Sequence, residues 1–144
     1  MIGPGILVLA LVATAVIALT MRRRNGRFAP AAADAPDERV RLTADQIGAP
    51  LGDRATLVQF SSAFCAPCRA TRVVLSDVAA SVAGVTTIDI DAEAHLQLVR
   101  DLGIMRTPTV LVLDASGAVT TRASGLPRRD QVLSAVDRAL AADR

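Results

Sequence analysis

The chain has 144 residues, with sixteen Lys and Arg against fourteen Asp and Glu, for a formal net charge of +2. Its aromatic content is three Phe with no Tyr or Trp, so any core is built from Val, Leu, Ile and Ala. Weak charge without stacking aromatics argues against nucleic acid as a partner, and the length allows one domain of about 100 residues plus an attachment.

Ile2 to Met21 is a run of twenty uncharged residues, almost wholly Ile, Leu, Val and Ala at its centre. About twenty residues at about 1.5 Å each cross a hydrocarbon layer of about 30 Å. A cleaved leader would carry its basic residues before the apolar run. Here Arg22, Arg23, Arg24 and Arg27 follow it. Residues 1–21 therefore read as an uncleaved transmembrane anchor, with membrane contact through residues 2–21. The arginine cluster on the C-terminal flank places the following domain on the cytoplasmic side by the positive-inside rule. Residues 22–37, rich in Arg, Ala and Pro, read as an extended tether, and 38–144 as the folded domain.

Within that domain, Arg39-Val40-Arg41-Leu42 alternates like a short edge strand. Thr43 and Gln46 have the spacing of a capping box that opens a short helix. Ala55 to Ser61 is apolar and reads as a central strand. Cys65 to about Ala83 has helical periodicity and closes at Gly84. Val85 to Ile90 is β-branched and reads as the next strand. Glu93 to Leu102 has helical spacing before Gly103. Thr109 to Leu113 is a strand, Asp114-Ala115-Ser116-Gly117 a turn, and Ala118 to Ala123 the returning strand. Arg129 to Ala142 places Val132, Leu133, Val136 and Leu140 on one helical stripe. The order implies an α/β fold: a central mixed sheet of four or five strands with helices on both faces.

The only cysteines are Cys65 and Cys68, at the junction between the central strand and its following helix. A Cys-x-x-Cys pair there can close and reopen a disulfide. The helix N-terminus, with unpaired N–H groups and positive dipole, favours a thiolate at Cys65. Pro67 fits the first turn, where its missing N–H costs nothing. Cys65 then reads as the nucleophile and Cys68, one turn on and more buried, as the resolving thiol. A closed zinc site needs four ligands, whereas the chain adds only the distant His95. Copper(I) held by two thiolates remains an alternative, as does an inert pair. Arg69 and the Arg128-Arg129-Asp130 cluster read as solvated helix surface.

The domain resembles the thioredoxin family over its whole length. Phe64-Cys65-Ala66-Pro67-Cys68 is similar to the family's Trp-Cys-Gly-Pro-Cys, Thr107-Pro108-Thr109 to its Ile-Pro-Thr segment, Asp114-Ala115-Ser116-Gly117 to its hairpin, and Gly125 to the glycine beyond. The resemblance implies the thioredoxin fold, a cis bond before Pro108, and a substrate-binding rim that includes Phe64, Ala66, Pro67, Thr107, Pro108 and Gly125. Two positions depart from the pattern. Gln59 stands where the family has a buried aspartate, and Thr87 where it has a buried lysine. A glutamine cannot take the Cys68 proton, so the proton relay is altered.

The expectation is a membrane-tethered thiol–disulfide oxidoreductase that reduces protein disulfides, with the redox-active disulfide as its only prosthetic chemistry and neither metal nor other cofactor. Its expected partners are disulfide-containing proteins and an upstream dithiol reductase as electron donor. The alternatives are an extracytoplasmic domain serving disulfide formation or cytochrome maturation, and a non-catalytic binding or copper(I)-handling module.

Overall fold

The computed structural model describes residues 3–31 and 39–142. Helix α1 spans Gly3–Arg24 and is followed by strand β1, Ala29–Pro30. Helix α2 is Ala44–Ile47, β2 Ala55–Ser61, α3 Ala66–Ser81, β3 Val85–Asp91 and α4 Leu96–Asp101. The hairpin strands β4 and β5 are Thr109–Asp114 and Val119–Ser124, and α5 is Arg129–Ala142. The five strands lie in the order β1-β5-β4-β2-β3. β2 pairs with β3 in parallel and with β4 antiparallel, which makes the sheet mixed.

All seven residues of β2 are buried, because helices cover both faces of the sheet. Strand alternation sends Val58 and Phe60 to one side, where Ile88, Ile90, Leu111 and Leu113 meet Ile47, Leu102 and Ile104 from α2 and the α4 region. It sends Ala55 and Leu57 to the other, where Val110 and Val112 meet Leu75 and Val78 of α3 and Val132 and Val136 of α5. The C-terminal helix has the expected bounds; it buries Val132 and Val136 of the expected stripe together with Ala135 and Ala139, while Leu133 and Leu140 are half-buried at its margins. The capping box at Thr43 and Gln46 is formed, the Thr43 N–H donating to the Gln46 side chain over 2.9 Å.

Two sequence expectations are corrected. The strand at Arg39–Leu42 reduces to one bridge, Arg41 with Ala118, flanked by bonds from Leu42 N to Gly117 O and from Val119 N to Val40 O. Its ladder ends there because Thr43 already caps α2. The helix expected from Glu93 starts only at Leu96. Asp91 holds the preceding turn, its carboxylate accepting from Glu93 N and its carbonyl lying 3.0 Å from His95 Nδ1.

Of the tether expected over residues 22–37, residues 32–37 lie outside the described residues, and the described part is not extended chain alone. Helix α1 runs through the arginines to Arg24, and the next residues dock on the sheet. Gly26 N donates to Ser124 O, Ala29 and Pro30 pair with Arg122 and Thr121, and Ala31 N donates to Thr120 O. Phe28 packs on the α3/α5 side of the sheet and Ala31 on the other, as alternation in an extended strand requires. Pro30 is tolerated because β1 is an edge strand with no further ladder to feed. β5 thus has its outer edge covered by two short segments, 29–31 and 40–42, which blunts an edge open to intermolecular pairing.

From Gly5 to Arg24 α1 is exposed along its length, and it is the one helix among the described residues long and apolar enough to cross a membrane. Its 22 residues make a rod of about 33 Å.

Candidate redox site

The site is assembled where β2 ends and α3 begins. Cys65 is the N-cap of α3, and its sulfur accepts from the Cys68 backbone N–H over 3.2 Å. This contact follows from sequence: a side chain at the cap meets the N–H three residues on. The two cysteines form a disulfide with their Cα atoms 5.2 Å apart. Cys65 is half-buried while Cys68 is 1% exposed, so an approaching partner meets Cys65 first. Ala66 and Pro67 occupy the exposed first turn, with Pro67 at a position that needs no donor. Phe64 is 99% exposed beside the pair.

The Thr107–Pro108 bond is cis. This segment faces the cysteine loop, with the Ser62 and Thr107 hydroxyls 3.1 Å apart. Gly125 N donates to Pro108 O over 2.7 Å, which brings Gly125 into the same group. Met105, just before the segment, is 92% exposed. The Arg106 guanidinium reaches Ser124 O at 3.0 Å and Asn25 Oδ1 at 3.4 Å.

Beneath the disulfide lies Gln59, 1% exposed. Its Nε2 donates to Cys68 O over 2.9 Å, while its Oε1 is buried without a partner. Thr71 Oγ1, one turn along α3 from Cys68, is also buried and unpartnered. Thr87 is half-buried and sits opposite Leu57 in the register; the residue opposite Gln59 is Asp89. Asp89 is ion-paired with Arg72 of α3. The structure therefore joins Gln59 directly to the cysteine turn and leaves Thr87 one pleat away from it.

The other candidates fall outside this group. His95 is exposed at the start of α4. Arg128 pairs with Asp130 in full solvent exposure; the hydrogen bond between them, then their charges, raises the arginine and holds the Asp130 carboxyl below its ordinary range. Among the described residues no three His, Cys, Asp or Glu side chains gather as they would for a metal ion. Arg69 and Arg72 flank a shallow pocket that also contains both cysteines and Asp91.

Sequence reasoning missed Asp89, Ser62, Met105 and Asn25. The alternation Thr87-Ile88-Asp89 was a usable signal for Asp89, since it puts the carboxylate on the face of Thr87. For Asn25 no local signal existed, because its neighbour Arg106 is 81 residues away.

Comparison with known proteins agrees with this fold. A family model described as Thioredoxin matches residues 43–138. A curated relative, a thioredoxin of Chlamydia muridarum, is 29% identical over 82 residues, which is 57% of this chain and 79% of that protein. Among solved structures, thioredoxin f from spinach chloroplast (long form) is 25% identical with a TM-score of 0.54, over 61% of this chain and 72% of that one. Chloroplastic thioredoxin z is similar in fold, with a TM-score of 0.55 and 24% identity over 62% of this chain and 80% of that one.

Proposed function

The chain belongs to the thioredoxin family, and we propose that it is a membrane-tethered reductase of protein disulfides. The observation that carries the reading is the Cys65–Cys68 disulfide at the N-terminus of α3, one sulfur accessible and one buried. In the reduced protein the Cys68 N–H and the helix dipole favour a thiolate at Cys65. That thiolate attacks one sulfur of a substrate disulfide, and the other substrate sulfur leaves as a thiolate. Cys68 then attacks the Cys65 sulfur of the mixed disulfide. The second substrate sulfur leaves, and the Cys65–Cys68 disulfide is restored for reduction by an upstream dithiol donor.

Cys68 must lose its proton in the resolving step. Gln59 cannot accept it, since a carboxamide is not a base at neutral pH. We assign proton removal to water entering from the Arg69 side, or to the leaving substrate thiolate. Substrate main chain lies along the Thr107–Pro108 segment, in the manner of an added strand, with Phe64, Ala66, Pro67 and Gly125 forming the rim.

Residues 2–21 anchor the protein, and the arginines at 22–24 and 27 favour a cytoplasmic domain. Insulin reduction fed by dithiothreitol tests the activity. The wild type should precipitate insulin well ahead of the dithiol alone, and Cys65→Ser should not. A wild type no faster than dithiothreitol would sink the catalytic reading and favour a binding module.

A further inference from the structure

We propose that the disulfide acts at the membrane surface, on a membrane-borne protein whose own cysteine pair lies beside the headgroup layer. The inference deepens the oxidoreductase reading and rests on it, and on α1 as the span. A flexible tether over residues 22–37 would let the domain roam by about 20–24 Å. The structure removes that slack. Asn25 N still closes the last turn of α1 onto Met21 O, and the very next amide, Gly26 N, donates to Ser124 O of β5 over 2.8 Å. No residue intervenes between the end of the helical ladder and the first bond to the sheet.

The junction is locked by shape as well as hydrogen bonds. Gly26 has φ 72°, and a Cβ there would collide with the Leu126 carbonyl. Gly125 has φ 92°, and a Cβ there would collide with the Asn25 amide. Asn25 is thus seated on the glycine whose N–H bonds Pro108 O. Arg106, just before the cis bond, reaches both Asn25 and Ser124.

The register shows that anchor and disulfide share one end of the sheet. Phe60 pairs with Thr109, and Thr109 with Ser124. Gly26 bonds to that same Ser124. Three strand spacings of about 4.8 Å put the end of β2 about 14 Å from Gly26, where the anchor arrives. Cys65 follows in the loop just beyond, tied by Ser62 to Thr107. The surface at this end has an apolar rim, with Phe64 99% and Met105 92% exposed. Beside it, Arg22, Arg23 and Arg27 surround a hollow with Leu19 and Leu126. Cations flanking a span favour anionic headgroups. A partner disulfide at the same height benefits from a raised effective concentration, and one held far from the bilayer does not.

The test uses the full chain in phosphatidylcholine vesicles with a minor fraction of phosphatidylglycerol. The probes are two synthetic single-span peptides, each bearing one Cys-x-x-Cys disulfide. In one the loop directly follows the span; in the other a proline-rich spacer of about 20 residues holds it about 60 Å away. The near probe should be reduced at least ~10-fold faster. Inserting about 30 Gly/Ser residues between Arg24 and Asn25 should bring the ratio close to one. The same insertion after Ala31, beyond the docked strand, should leave the near preference intact. Equal rates for both probes with the unmodified chain overturn the proposal, as does a preference that survives the first insertion. Turnover of a soluble disulfide in the same vesicles reports the oxidoreductase itself. Its loss in the unmodified chain overturns the functional reading, whereas its retention with no near preference overturns the membrane-surface inference alone.

Discussion

At the residue scale the two cysteines differ in exposure, Cys65 half-buried and Cys68 buried, and the proposed roles divide accordingly. Cys65→Ser is expected to abolish disulfide reduction, since the attacking thiolate is gone. Cys68→Ser is expected to trap mixed disulfides with partners, because the buried thiol that releases them is missing. Non-reducing gels of the two variants check this, and adducts on Cys65→Ser but none on Cys68→Ser would reverse the roles. Gln59 is the second informative residue. In Gln59→Glu the side chain keeps its length and places a carboxyl beneath Cys68. At 1% exposure burial penalises the charged form and raises its pKa, which makes it a proton acceptor near neutrality. Resolution of the mixed disulfide should speed up near neutral pH in stopped-flow measurements. The folded pKa lies above the unfolded value of about 4.3, so the variant loses stability as pH rises through that window and keeps it below. Denaturant melts at acid and neutral pH should show a deficit of about 1–3 kcal/mol at neutrality. An unchanged rate and a pH-independent melt would place Gln59 outside the proton path.

At the element scale the decisive feature is the docked segment from Gly26 to Ala31. It is held by a few edge hydrogen bonds and by Phe28 against the α3/α5 side of the core. Gly26→Ala combines an unfavourable positive φ with a clash against the Leu126 backbone and should cost about 1–3 kcal/mol. Hydrogen exchange is the check: the Ala31 amide, bonded to Thr120 O, should lose protection while the β2 amides keep theirs. Equal protection in both proteins would mean the segment is not held by this junction. Helix α3 depends on its buried stripe. Leu75 is fully buried between α3 and the sheet, and Leu75→Ala should cost about 2–5 kcal/mol in a denaturant melt.

At the scale of the whole molecule, a water-exposed apolar rod of this length is stable only in a membrane or against a partner. The full chain should therefore resist carbonate extraction from membranes. Removing residues 1–24 should release a soluble domain that keeps Gly26–Ala31 on its edge and still turns over insulin. Removal through residue 31 should lower stability, because the edge of β5 and the Phe28 contact go with it. A thiol reagent that does not cross membranes should label reduced Cys65 only after lysis. Labelling in intact cells would place the domain on the outer side and turn its role toward disulfide formation there.

Local chemistry was legible in the chain alone. The apolar span, the capping box at Thr43, the strand and helix around Cys65, and the C-terminal stripe each follow from periodicity and cap residues a few positions apart, which is the range over which backbone geometry acts. The site residues followed from the Cys-x-x-Cys pair and the Thr107-Pro108-Thr109 segment. The sheet register was out of reach, because a two-residue strand such as Ala29-Pro30 carries no alternation of its own and exists only because β5 has an open edge. The same holds for Asp89 opposite Gln59 and for Asn25 on Gly125, contacts between residues far apart in sequence. Sequence pattern by itself pointed to the Cys65–Cys68 pair as the candidate redox site. Only tertiary pairing decided that the apolar helix and the disulfide meet at one end of the sheet, since that depends on which edge a non-periodic segment finds and covers.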